Sequence, residues 1–209
     1  MIHGSGVRPT PKTLTDAEVR TLLSVTGRAE RDLRDHILLL LALNTGLRVS
    51  ELTGLNVGDV RSSKGVRTIV PLRPETTKGH KEGAVTLPES TRRKLVTFLA
   101  WKEKCGEPTT DDAPLFVSRG GGRGGGKAGA RVSVRTAEHL FATWQTRAGF
   151  DRHVHFHMLR HTYGTRLLRQ TGNLRIVQEA MRHSSPATTS IYTHPSTEDL
   201  VQAAESLGW

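Results

Sequence analysis

Apolar residues in this chain cluster mostly at helical spacing, with one region of short β-branched runs. Thr15-Asp-Ala-Glu18 forms a capping box that opens a helix carrying Val19, Leu22 and Leu23 on one side. Residues 30–43 read as a second helix. Its first half is charged, and Ile37 to Leu43 is unbroken apolar sequence, so it should run through the core. Gly46 suits a left-handed cap. A short helix follows from Arg48, with Val49, Leu52 and Leu55 facing inward at steps of three. Arg48 and Glu51 share another face. Spacing alone favours a surface ion pair of little weight over a clamp in which Glu51 fixes Arg48.

Between residues 59 and 87 the pattern changes. Val66 to Leu72 and Gly83 to Leu87 are β-branched and flank the polar stretch TTKGHKE, which predicts a small antiparallel sheet with Lys78 and Lys81 in or beside its hairpin. Pro88 starts a helix over 88–104 with Leu95, Phe98, Leu99 and Trp101 as its apolar residues. Residues 105–132 read as loop, and SRGGGRGGGKAGAR (118–131) as a mobile arm. Its Arg119, Arg123, Lys127 and Arg131 suit a phosphate backbone better than a core. A helix from Ser133 to about Ala148 turns Leu140, Phe141 and Trp144 inward. The class is mainly α with a small antiparallel β-sheet (α+β).

The stretch from His157 to Tyr192 carries the candidate chemistry. On a helix His157, Arg160 and His161 share one face, which Gly164 continues, while Leu159, Tyr163 and Leu167 form the opposite stripe. Tyr163 thus belongs to the core, and Tyr192 is the free tyrosine. His153, His155, His157 and His161 suggest a metal cluster at first sight. The His157/His161 spacing fits, but no acid lies between them and the first two sit in an entry loop, so no metal is expected. Asn173 caps a helix bearing Leu174, Val177 and Met181, and His183 follows its end. Ser185-Pro186 opens a short helix that ends near Tyr192. Residues 196–209 read as an amphipathic tail that packs on its own domain or docks on a neighbour.

Charge narrows the partner. The chain has 209 residues, enough for one sizeable core, and a formal charge of +10. That balance favours nucleic acid ahead of an anionic membrane. Cys105 is the single cysteine, so no disulfide forms within the chain, and the longest apolar run is about half of a membrane span. No phosphate-loop pattern GxxxxGK[ST] occurs.

Four stretches, TGLRVSEL (45–52), TKGHKEGAVTLP (77–88), HMLRHTYGTRLL (157–168) and RHSSPATTSIYTH (182–194), resemble in order the catalytic domain of the tyrosine recombinases, the Xer-type and phage-integrase-like enzymes. The resemblance implies that Arg48 and Arg160 are the two catalytic arginines, Lys78 the catalytic lysine, His157 and His183 the two histidines and Tyr192 the nucleophile. Lys81 and His161, with the arm residues, are further DNA-binding candidates. Arg182 stands where the family usually has glycine, and the Gly-rich insertion is longer than usual.

The function so implied is site-specific recombination of double-stranded DNA through a covalent 3′-phosphotyrosine, with no cofactor. A monomer in solution and a tetramer on paired sites through the tail are expected, in the cytoplasm, nucleoid-associated, in a bacterial or phage-encoded system. Rival readings are a type IB topoisomerase, a non-catalytic DNA-binding regulator of the same fold and a metal-dependent nuclease. The expected organisation is an arm over 1–13, a catalytic domain over 14–195 and a tail over 196–209, without the N-terminal core-binding domain.

Overall fold

The computed structural model describes residues 13–77, 79, 82–120 and 127–182. Lys78, Lys81, Arg123, His183, Tyr192, the Ser185-Pro186 helix and the tail lie outside them. The described residues are mostly helical, with two small antiparallel sheets where one was expected.

Helix α1 (Asp16–Thr26) begins at the predicted capping box: Glu18 N–H donates to Thr15 Oγ1 at 3.2 Å, and Thr15 N–H donates to Glu18 Oε2 at 2.7 Å. Leu14, just before it, is buried, and its N–H donates to Thr162 Oγ1 at 2.9 Å. A 3₁₀ turn (Glu30–Asp32) leads into α2 (Leu33–Thr45), which is buried along nearly its whole length against α1, α5 (Glu89–Lys104) and α7 (His157–Thr171). Its charged first half is buried as well. Arg34 Nη2 pairs with Asp35 at 2.6 Å, and Arg34 Nη1 donates to Val117 O at 2.9 Å. Trp144 Nε1 donates to the other Asp35 oxygen at 3.1 Å. Burial of charge is tolerated when each charge has a close partner and its remaining valences are met. His36, beside them, shares a 2.9 Å hydrogen bond with Thr26, and burial pushes its pKa down to about 4.

Gly46 ends α2 in the left-handed conformation, φ 61°. A second constraint acts there: a Cβ would overlap the Tyr163 ring and meet Met181 Sδ at 3.1 Å. α3 (Val49–Gly54) and the single turn α4 (Val57–Val60) follow, then β1 (Arg61–Ser62) against β2 (Gly65–Val66). The predicted hairpin is β3 (Ile69–Leu72) against β4 (Gly83–Thr86), with Val70 opposite Val85, and Gly79 in its connection is left-handed at φ 81°. α5 presents Leu95 and Phe98 to the core.

Of the stretch 118–131, residues 121–126 lie outside the described residues, and the flanks are tied down. Its flanks pair: Ser118 N–H donates to Ala130 O at 2.7 Å, and Val132 N–H to Phe116 O at 3.0 Å. Arg131 is half-buried, with Nη1 on Thr53 O and Leu55 O at 3.0 and 2.8 Å and Nη2 on Asn56 Oδ1 at 2.5 Å. Those contacts brace the end of α3 and take its guanidinium away from the role of a free phosphate tracker. α6 (Val134–Arg147) is capped by Ser133 and buries Phe141 and Trp144, while Leu140 is only half-buried. α8 (Leu174–Met181) is capped by Asn173, whose Oδ1 accepts from Arg175 N–H at 2.9 Å and Ile176 N–H at 3.4 Å. Val177 and Met181 pack with Tyr163, Leu167 and Leu168 of α7 as a small separate cluster.

Candidate active site

The site is built at the junction of three corners: the α2–α3 turn, the first turns of α7 and the end of α8. Arg48 immediately precedes α3, and Glu51 stands one turn on. Glu51 is fully buried. Its Oε2 accepts from the Arg48 backbone N–H at 2.8 Å and its Oε1 from Arg48 Nη1 at 2.9 Å. The surface pair favoured by spacing is therefore wrong. The carboxylate sits inside the fold and fixes both the backbone and the guanidinium of Arg48, whose side chain remains 29% exposed. Spacing missed this because it reports the helix face, not what packs on that face.

A third group completes the cluster. Arg182 Nη2 pairs with Glu51 Oε2 at 2.6 Å. Arg182 ends α8 at φ 52°, and no other non-glycine residue among the described ones has positive φ. A side chain in that region costs about 1 kcal/mol or more, which is why glycine suits the position. Sequence reading flagged Arg182 as a departure but did not place it in the site. Glu51 was named as a partner of Arg48, and its burial was the part not seen.

Arg160 enters from α7 and is 2% exposed. Its Nη1 donates to Gly46 O and its Nη2 to Met181 O. It therefore ties α7 to the α2–α3 corner on one side and to the end of α8 on the other. Charged donors on carbonyls hold a planar guanidinium in one orientation. His157 is exposed, one turn before Arg160, with its ring edge-on to His161 at 4.7 Å between centroids. Partial burial, then Arg160, then Arg48 lower its pKa below the ordinary imidazole value. That direction favours the neutral ring, the form that can accept a proton. Tyr163 is half-buried in the small α7–α8 cluster, and burial raises its pKa, opposed by Arg182 and Arg160. That suits packing rather than nucleophilic attack.

Of the predicted site residues, the structure brings Arg48, Arg160 and His157 together. Arg119 lies elsewhere, donating to Arg31 O beside α2, and Lys127 is exposed in the loop before α6. Among the described residues no group of three His, Cys, Asp or Glu side chains is arranged to hold a metal ion, and no helix is long and apolar enough to cross a membrane.

A polar cluster of two arginines and a histidine on a mainly helical frame with small sheets defines a class, and comparison with known proteins says which. The phage integrase family model matches residues 12–199, and the chain belongs to that family. It is 32% identical over 199 residues to tyrosine recombinase XerC of Proteus mirabilis, covering 95% of this chain and 60% of that protein. To XerC of Yersinia pestis it is 35% identical over 187 residues, covering 90% and 56%. The chain thus spans about three fifths of the curated relatives it matches. Among solved structures, the XerA recombinase superposes with a TM-score of 0.77 at 28% identity, over 97% of this chain and 67% of that one. The XerH site-specific recombinase bound to its difH substrate gives 0.70 at 25% identity, over 98% and 56%.

Proposed function

We propose that this chain is the catalytic part of a site-specific DNA recombinase that cuts and rejoins strands through a covalent tyrosine intermediate. The observation that supports it most is the convergence of Arg48 and Arg160 from different corners of the fold, with His157, its pKa lowered, beside them. A phosphodiester is an anion that repels nucleophiles. Two fixed guanidiniums offset the charge that builds on its non-bridging oxygens in the transition state. Tyr192 Oη attacks phosphorus, the bond to the 5′-oxygen breaks, and a 3′-phosphotyrosine forms. His157 takes the phenolic proton, His183 hydrogen-bonds a phosphate oxygen, and Lys78 protonates the leaving 5′-oxygen. The phosphoester bond is conserved, so a 5′-hydroxyl from a partner strand reverses the step and exchanges strands without ATP.

Double-stranded DNA is the partner, which the +10 charge favours. The chain is a monomer in solution and assembles as a tetramer on paired sites, with the 196–209 tail docking between protomers. It works on the nucleoid in the cytoplasm of a bacterium. Domain bounds of 14–195 for the catalytic unit and 196–209 for the tail belong to the same reading. The deciding experiment is trapping on a nicked suicide duplex. Wild-type chain should leave a denaturant-resistant protein–DNA adduct that survives EDTA. Tyr192→Phe should leave none while binding DNA normally, and Tyr163→Phe should cost stability rather than adduct. An unchanged adduct yield in Tyr192→Phe would refute the assignment.

A further inference from the structure

Arg182 occupies a backbone conformation that disfavours its side chain, yet the side chain is placed with care. It runs from the end of α8 past β4, where a Cβ added to Gly83 would lie 3.0 Å from its Cδ, and reaches the buried Glu51. The peptide that precedes it carries Met181 O, the acceptor for Arg160 Nη2. One residue therefore connects with both arginines of the site, with Arg160 through its backbone turn and with Arg48 through Glu51.

We infer that Arg182 is a positioning residue for strand cleavage: it pairs with the Glu51 oxygen that also accepts from the Arg48 backbone N–H, and so fixes the pose of Arg48 and preserves its charge. Electrostatics explains the second part. One carboxylate facing one guanidinium makes a neutral pair with little left to offer a phosphate. One carboxylate shared by two guanidiniums keeps a net positive charge. That charge faces outward through Arg48, whose side chain is 29% exposed against 16% for Arg182 and 1% for Glu51. Among the described residues Arg182 Nη1 is buried without a hydrogen-bond partner, and Glu51 is the carboxylate that its guanidinium pairs with. The inference rests on the proposed phosphoryl transfer for its catalytic consequence, but its structural part stands alone.

The test compares wild-type chain with Arg182→Gly, Arg182→Gln and Arg182→Lys. Nitrogen-15 relaxation of the Arg48 Nε–H, assigned by its loss in Arg48→Lys, reads the pose without any need for activity. The signal should be rigid in wild type, mobile in the Gly and Gln variants, and intermediate in Lys. On the nicked duplex, single-turnover adduct formation should fall by about tenfold to a hundredfold in the Gly and Gln variants and partly recover in Lys. DNA affinity should change little. Arg182→Gly should melt no lower than wild type, since glycine relieves the positive φ, so the loss of rate is not a loss of fold. Unchanged Arg48 order in Arg182→Gly overturns the inference whether or not the chain cuts DNA, and so does a wild-type adduct rate in that variant. Loosened Arg48 in a chain whose wild type makes no adduct would sink the proposed function and uphold the positioning role.

Discussion

Among the described residues, the Arg34–Asp35 pair and the Glu51 cluster each bury a carboxylate against arginine, and they differ in charge balance. At the start of α2, Arg34 and Asp35 face each other one to one, with side chains 4% and 6% exposed. Val117 O and the Trp144 indole N–H meet the remaining valences. At the start of α3, Glu51 is as deeply buried but shares its carboxylate between Arg48 and Arg182, and one of those arginines reaches the surface. In the first cluster the carboxylate and the guanidinium balance each other, and both are buried. That cluster joins α2, α6 and the Val117 segment. The second carries surplus positive charge at an opening beside His157 and Arg160. Burial of an ion pair therefore does not mark a functional site here. What sets the proposed site apart is an unequal number of partners, with one of them exposed.

Breaking the neutral cluster should have the largest effect. Asp35→Ala leaves Arg34 buried without its counter-ion and should cost about 3–5 kcal/mol. Urea unfolding would show that loss, while the folded fraction keeps its adduct rate. The open cluster should respond the other way. Arg48→Ala leaves Glu51 paired with Arg182, so stability should change by no more than about 1 kcal/mol. Adduct formation should fall by about a hundredfold to a thousandfold. If Arg48→Ala unfolds the chain and Asp35→Ala does not, the contrast is reversed.

A smaller effect follows from His36, which lies next to the neutral cluster on α2. Its folded-state pKa is pushed from 6.5 down to about 4, first by burial and then by Lys94. The unfolded chain therefore takes up this proton first as pH falls. The stability of the neutral form is complete above about pH 6.5 and is lost progressively toward pH 4. Urea midpoints at pH 7, 6 and 5 should decline in wild type and flatten in His36→Gln. The smallest expected effect is at the cap of α8. Asn173→Ala removes the acceptor for two N–H groups and should cost about 1 kcal/mol. Because α8 carries Met181 and Arg182 to the site, the same variant should also slow adduct formation slightly, and an equal loss of stability with no change in rate would separate α8 from the chemistry.

Much of this architecture was legible in the residues. The Thr15 box, the apolar run Ile37–Leu43, the Gly46 stop, the hairpin on either side of Gly79 and the Asn173 cap are local signals, and each element formed where its signal lies. The face shared by His157 and Arg160 was legible for the same reason, since helical periodicity is local. Other features were not legible. The charge of Arg34 and Asp35 is plain in the residues, but not the groups that satisfy it: Trp144 and Val117 arrive from far along the chain to meet them. Nothing local shows that Phe116 and Val132 pair across the base of the Gly-rich stretch, or that Arg131 finds carbonyls at the end of α3.

Among the described residues, the sequence by itself determined where the long helices lie, and it showed that a strongly basic chain carries arginines and histidines at the spacings of its family. These follow from backbone propensity, capping and period, which act over a few residues. Tertiary structure alone decided that Glu51 is buried rather than exposed, that Arg160 grips the Gly46 and Met181 carbonyls, and that Arg182 joins Arg48 on one carboxylate. A charged group's role depends on which distant groups exclude water from it and share its counter-ion, and no local pattern records that.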